Sequence, residues 1–402
     1  MKYRLISMLL VLILLLGCLC ACTQEPPKPV TVSTAALETV PSETVPVVTQ
    51  TPLVYDEAPA ASSKAVTVDG TELDELYEAS GTLYFRLAGC EVKTTHDGSF
   101  AQTDRGSTVF YGTASGKTSL TFDNETAAIS IDGKKLDTQG TALYDGESWY
   151  LPLREYYAAL GYTEFDDSEQ SHLYYSILPD AAQIPGGCSV PILMYHAVSD
   201  NCWGIEELFV SPSSMEAQLQ YLNDNGYTTI WFSDLEHIDE IEKPVILTFD
   251  DGYDDNYEYL FPLLKEYQCK ATVFVIPTAI GKNHKMTAEQ IREMSDSGLV
   301  DIESHTMTHP DLDMLGYDDT EYELGQSKLE ILRLTGKIPY VLCYPTGYNS
   351  SVTREVAAEY YSFGIIMNGG RYTTGTDLYL IPRHYVSRYT DIGSFAGLIS
   401  QY

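Results

Sequence analysis

Positive charge is scarce in this chain. Its 402 residues hold 24 lysines and arginines against 57 aspartates and glutamates, a formal charge of −33. A surface that acidic repels nucleic-acid phosphate, which excludes nucleic acid as a partner class. Paired cysteines are also lacking. Past residue 22 the cysteines are Cys90, Cys188, Cys202, Cys269 and Cys343, an odd number with no C-x-x-C spacing. A Cys188–Cys202 bridge stays open, and most of the set reads as small buried apolar side chains. Residues 23–64 are short of aromatics, with Tyr55 alone, and contain seven prolines among many Thr and Ser. Such a segment cannot bury enough surface to fold. It reads as a tether, able to reach roughly 100 Å at ~3 Å per extended residue.

The start of the chain is different. Lys2 and Arg4 precede an unbroken apolar run from Met8 to Leu16, the charge and hydropathy pattern of an export signal. Two cysteine-ending stretches follow, Leu15-Leu-Gly-Cys18 and Leu19-Cys-Ala-Cys22, and both look like a bacterial lipobox. Cys22 is the favoured lipidation site because the polar tether begins directly after it, with Cys18 open. An uncleaved membrane helix is the alternative. Residues 1–22 are therefore expected to be a lipoprotein signal, with the protein exported and held on the outer face of a bacterial cytoplasmic membrane.

Residues 65–178 form a β-rich stretch with a weak internal repeat. Val68-Asp-Gly70 with Leu73-Asp74 recurs as Ile131-Asp-Gly133 with Leu136-Asp137, and each copy leads to an aromatic-rich strand. The second copy, Trp149-Tyr-Leu-Pro-Leu-Arg154 through Ala158-Ala-Leu-Gly-Tyr162, resembles the N-terminal domain of copper amine oxidases. That resemblance implies a small α+β accessory domain, with a short helix from Arg154 to Leu160. It does not imply copper, because His96 and His172 have no ligand partners nearby in sequence.

From residue 188 to 402 the pattern alternates strand and helix. Buried strands are expected at Pro191–His196, Val245–Leu247, Ala271–Ile276, Val300–Glu303, Val341–Tyr344 and Phe363–Met367, and helices at Met215–Asn225, Asn256–Tyr267, Ala288–Ser297 and Glu321–Thr335. Such alternation means parallel strands covered by helices, either barrel or open sheet, with chemistry at the C-terminal strand ends. Two of those ends carry chemistry. The strand Val245–Leu247, within the stretch Lys243 to Gly252, ends on Asp250-Asp251-Gly252, two adjacent carboxylates that can face one site only if the chain turns there, which Gly252 allows. Val300–Glu303 leads into His305-Thr-Met-Thr-His309. Buried carboxylates need a cationic partner, and an Asp with two His suits a catalytic divalent metal, zinc above all. Taken singly, an Asp-Asp-Gly turn, an acidic calcium loop or an incidental H-x-x-x-H would serve as well.

Together, Thr248-Phe-Asp-Asp-Gly252 and His305-Thr-Met-Thr-His309 resemble the first two motifs of NodB-homology polysaccharide deacetylases, carbohydrate esterase family four. Pro191-Ile-Leu-Met-Tyr-His196 is similar to the poly-N-acetylglucosamine deacetylase branch. The resemblance implies a distorted (β/α) barrel with fewer than eight strands. It implies hydrolysis of N-acetyl groups on an amino-sugar polysaccharide such as poly-N-acetylglucosamine or peptidoglycan. Asp251, His305 and His309 would hold the metal, Asp250 would be the general base and His384 the general acid. The substrate would meet Pro345, the Thr346 backbone N–H and Ile381. Cys343 stands where many members have an arginine that steadies the catalytic Asp, and Arg383 is expected to reach in instead. The fourth motif's Asp and Trp are missing around Met367–Tyr372. A catalytically silent glycan-binding scaffold and an O-acetyl polysaccharide esterase are the alternatives.

Overall fold

The computed structural model describes residues 58–87 other than 74, the segments 100–102, 107–111, 119–123, 128–131, 134–139 and 142–144, then 149–159 and 161–400. The signal, Cys18, Cys22, Cys90 and His96 lie outside the described residues.

Six strands run parallel in sequence order: β1 (Ser189–Tyr195), β2 (Pro244–Phe249), β3 (Ala271–Val275), β4 (Val300–Ser304), β5 (Val341–Cys343) and β6 (Phe363–Ile366). Three short strands follow. Strand β7 (Arg371–Thr373) lies antiparallel to the start of β1. Strand β8 (Ile381–Pro382) extends the sheet from β6, and β9 (His384–Tyr385) pairs with β1. Residues 381–385 thus bridge the last parallel strand to the first, and the sheet is a nearly closed barrel. Arg383 sits at the centre of that bridge.

Both faces of these strands are covered, which is why they read as continuous apolar runs. All six residues of β2 are buried. Alternation along the strands sorts the side chains. Ile192, Ile246, Phe274, Cys343, Ile365 and Ile381 share one cluster inside the barrel. Leu193, Tyr195, Leu247, Phe249, Val273 and Val275 share another, against the helices outside. That outer layer includes α1 (Pro212–Asp224), α2 (Phe261–Tyr267), α3 (Ala288–Asp296) and, near the C-terminus, α6 (Ile392–Ile399). Helices α4 (Tyr317–Thr335) and α5 (Ser351–Tyr360) cover Leu342 of β5 through Leu324, Val356 and Ala357.

Helix α3 begins at Ala288, as expected, whereas α1 begins earlier than expected for a capping reason. Ser211 accepts from Ser214 N and Pro212 takes the first turn, so α1 begins three residues before Met215. Helix α5 was not expected at all, yet Ser350 and Thr353 form a reciprocal cap at its start. Of the cysteines, Cys269 and Cys343 are buried as expected, but Cys202 is exposed and Cys188 half-buried, and both are free thiols.

Ahead of the barrel the chain is β-rich. Asp69 and Gly70, both at positive φ, turn Ala65–Val68 back on Thr71–Glu72 as a hairpin. Strands Ala128–Ile131 and Lys134–Gln139, flanking the second Asp-Gly pair, are also antiparallel. A helix spans Leu153–Ala159. This region meets the barrel at the end of α4. Arg333 donates to both Asp167 oxygens (2.7 and 2.9 Å) and to Glu169, while Tyr174 packs with Leu332 and Ile338. Gly336 closes α4 at φ 71° and lets Gly70 N bond its carbonyl at 3.1 Å. A Cβ there would come within 2.8 Å of the Gly70 backbone, so a glycine is needed for both the cap and the contact.

Candidate active site

Strand β2 ends at Phe249, and the chain then reverses through two consecutive left-handed residues, Asp251 (φ 76°) and Gly252 (φ 63°). A non-glycine residue in that region is strained, and here the strain turns both carboxylates of the Asp250-Asp251 pair toward the mouth of the barrel. Lys285 Nζ holds the Asp251 carbonyl at 2.8 Å and Tyr195 O receives Asp250 N at 3.0 Å. A Cβ on Gly252 would lie 3.1 Å from Val275 Cγ1, which leaves little room for another residue.

The two carboxylates have different surroundings. Both Asp250 oxygens lie in the fork of Arg383, at 2.7 and 2.9 Å, and the pair is fully buried. The guanidinium also donates to Thr248 Oγ1, Cys343 Sγ and Ile366 O. Burial alone would raise the Asp250 carboxyl, but the Arg383 charge and hydrogen bonds, with His196 and His305 nearby, hold it well below the usual range. Asp250 therefore stays ionised and fixed in orientation. The Cys343 thiol is pushed up by burial and stays neutral.

Asp251 faces histidines instead. Its Oδ1 is 3.5 Å from His305 Nε2 and 3.6 Å from His309 Nε2, and one donor atom from each of the three lies within 4.8 Å of the others. The segment His305–His309 is a turn, as Pro310 suggests, with Thr306 (φ 62°) and His309 (φ 65°) left-handed. It is clasped by α4: Glu323 accepts from Thr308 N at 2.8 Å and Thr308 Oγ1 at 2.6 Å, and its carbonyl accepts from Met307 N. His305 Nδ1 lies 2.8 Å from the Cys343 carbonyl. A carbonyl can only accept, so Nδ1 carries the proton and Nε2 presents its lone pair. Burial lowers the His305 pKa to about 4, against the pull of both aspartates, which keeps the ring neutral.

This donor set fits a divalent cation: one carboxylate oxygen and two imidazole nitrogens, converging on one side only. A second cluster, Asp250, His305 and Cys343, has similar spacing. There the carboxylate and the sulfur already accept from Arg383, so a cation would sit against a guanidinium.

The remaining expected residues divide. Arg383 reaches Asp250 as anticipated. Thr346 (φ 57°), within the turn Pro345–Gly347, directly follows β5, whose Cys343 carbonyl holds His305. Ile381 is fully buried, two residues before Arg383 on the inner face, so it forms floor rather than lip. His384 is not brought to the site. Arg383 points inward and its neighbour must point outward. His384 pairs in register with Leu193 rather than with a strand end, and its pKa is lowered by burial and by Arg371. His196 is there instead. It follows β1, with Nε2 4.0 Å from Asp250 Oδ2 and a buried Nδ1 that has no hydrogen-bond partner. Its signal in the sequence was its place at the end of a strand, alongside the end of β2.

Comparison with known proteins gives one direction. The polysaccharide deacetylase family model matches residues 237–361. The chain is 34% identical over 204 residues to YxkH of Bacillus subtilis (strain 168), which carries the polysaccharide deacetylase name, covering 49% of this chain and 71% of that one. It is 27% identical over 134 residues to the poly-beta-1,6-N-acetyl-D-glucosamine N-deacetylase of Escherichia coli (strain K12), covering 28% and 20%. It is 35% identical over 97 residues to the peptidoglycan-N-acetylmuramic acid deacetylase of Bacillus subtilis, covering 24% and 35%. Among solved structures, a polysaccharide deacetylase from Bacillus cereus aligns with a TM-score of 0.51 at 26% identity, over 74% of this chain and 78% of that one.

Proposed function

This chain belongs to the polysaccharide deacetylase family, hydrolases acting on carbon–nitrogen bonds, and from that premise we propose that it removes N-acetyl groups from an amino-sugar polysaccharide of the cell envelope. Poly-N-acetylglucosamine and peptidoglycan are the candidate substrates, since relatives are named for each. The observation that carries the reading is the division between two adjacent carboxylates, one locked on an arginine and one open beside two histidines.

Asp251, His305 and His309 would hold the divalent metal, zinc being the best match to two nitrogens and one oxygen. When bound, it would polarise the acetamide carbonyl and make a water more acidic. Asp250, ionised and unable to rotate within the Arg383 fork, accepts the proton of the attacking water. The Thr346 N–H donates to the carbonyl oxygen as charge develops there. His196, rather than His384, is the group near enough to Asp250 to hand a proton to the departing amine.

The test is acetate release from chito-oligomers and from peptidoglycan, with and without chelator, by wild type and Asp250→Asn. The expected result is chelator-sensitive release that falls about 10²–10⁴-fold in the variant. No chelator-sensitive release from any glycan leaves the silent-scaffold reading in its place, and release from acetylated xylan alone favours the esterase. Residues 65–178 are proposed as an accessory domain, 188–402 as the catalytic one, and Cys22 as the lipid anchor on the outer face of the cytoplasmic membrane. Loss of palmitate label in Cys22→Ala but not Cys18→Ala supports that anchor; the reverse moves it to Cys18.

A further inference from the structure

Trp203 stands in the loop after β1 with 38% of its surface exposed, a costly position for the largest apolar side chain. Its exposure is not looseness. The indole stacks on His284 with centroids 4.1 Å apart and planes within 6°. Two further rings meet it edge-on, Phe209 at 4.9 Å and Tyr253 at 4.8 Å. Tyr253 is two residues past Asp251, and it bridges to Lys285, whose ammonium sits 3.7 Å over the Tyr253 ring and holds the Asp251 carbonyl. The tryptophan is therefore fixed relative to the metal-ligating turn. From the other side, Arg388 pins the same loop, bonding Cys202 Sγ and Phe209 O and pairing with Glu206 at 3.7 Å. Beside this platform Ile205 (68%) and Tyr389 (65%) are exposed too, with Asp200, Glu206 and Glu207 exposed on the loop itself.

A rigid indole with polar and acidic neighbours matches one ligand class well. The C–H face of a pyranose ring stacks on it, and the carboxylates suit the ammonium groups that deacetylation leaves on neighbouring sugars. Resting on the deacetylase reading above, we propose that Trp203, backed by His284 and Tyr253, is a sugar-stacking subsite. It receives a ring of the amino-sugar chain next to the unit being deacetylated, and makes the enzyme prefer polymer over short oligomers.

The experiment is a chain-length series with chito-oligomers from dimer to hexamer, for wild type, Trp203→Ala, Trp203→Phe and, as a control on an exposed tyrosine of α4, Tyr322→Ala. The expected result for Trp203→Ala is a KM that rises about tenfold for the longer oligomers, with a much smaller change for the dimer. Trp203→Phe should recover most of the loss, and Tyr322→Ala should match wild type at every length. An equal loss at all lengths, or none, overturns the proposal. Binding supplies a readout that needs no turnover: hexamer should quench tryptophan emission in wild type and not in Trp203→Ala. Quenching without acetate release would sink the deacetylase reading and keep the subsite, while release without quenching would do the opposite.

Discussion

The barrel and the β-rich region before it both bury carboxylates, but to different ends. Inside the barrel, Asp250 is almost wholly covered, and the Arg383 fork leaves it no alternative orientation. In the region before the barrel, Asp167 is a buried carboxylate among the described residues, and its partner Arg333 comes from the barrel's helix α4. One arrangement aims a charge at a cleft, while the other fastens two parts of the chain together. If so, breaking the first should abolish chemistry and breaking the second should cost stability and leave chemistry alone.

The largest effect is expected at Arg383. Replacing it with alanine leaves the Asp250 charge buried without a partner, which costs about 3–5 kcal/mol of stability. It also frees the carboxylate to rotate, with a loss of roughly 10²–10⁴ in turnover. Arg383→Lys supplies charge without the fork and should recover part of the stability and little of the rate. Thermal melting and acetate release measure both, and full turnover in Arg383→Ala would show that the fork does not orient the base. Next in size is the metal set. Zinc at a hundred times its dissociation constant should stabilise wild type by about 2.7 kcal/mol. No such rise in melting temperature should appear in His305→Ala or His309→Ala. An equal rise in all three would place the ion elsewhere.

A smaller effect is expected one step back from the ligands. Glu323 of α4 holds the His305–His309 turn through Thr308. Glu323→Ala should weaken zinc binding about 10–100-fold, and Glu323→Gln, which still accepts from Thr308, should weaken it less. Calorimetric titration with zinc distinguishes this from a general loss of fold, because the ligands themselves remain.

How much of this was legible in the sequence depends on how local the determinant is. Asp250, Asp251 and Gly252 are covalent neighbours, so their turn could be read directly, and His305 and His309 lie in one short segment. Parallel strands covered by helices followed from the alternation of apolar runs, which left barrel and open sheet alike in pattern. What failed was facing. The aliphatic-x-x-His spacing of Ile381 and His384 says nothing about which side of the strand is inner. Once Arg383 occupies the inside, His384 is forced outward, and only the closure of the barrel by residues 381–385 decides this. His196 went unassigned for the same reason: its proximity to Asp250 arises from β1 lying beside β2, a contact between residues far apart in sequence. Helix α5 was missed because its start, the reciprocal cap of Ser350 and Thr353, occurs in a stretch of turn-forming residues.

The smallest effect, and the one that completes the comparison, lies at Asp167. Arg333's hydrogen bonds hold its carboxyl below the usual range, against the opposing effect of burial. A carboxylate whose pKa is lowered in the folded state stabilises the fold above its unfolded value, ~3.9, and that contribution disappears as pH falls through the folded value. Asp167→Asn should therefore cost about 1–2 kcal/mol at pH 7, with acetate release unchanged. The gap to wild type should close steadily below pH ~4. Urea unfolding of both proteins between pH 7 and pH 3 measures it. A gap that stays constant with pH would mean that the Asp167–Arg333 contact acts through shape rather than charge. A fall in activity equal to the fall in stability would mean that the β-rich region does more than fasten itself to α4, and the contrast with Asp250 would fail.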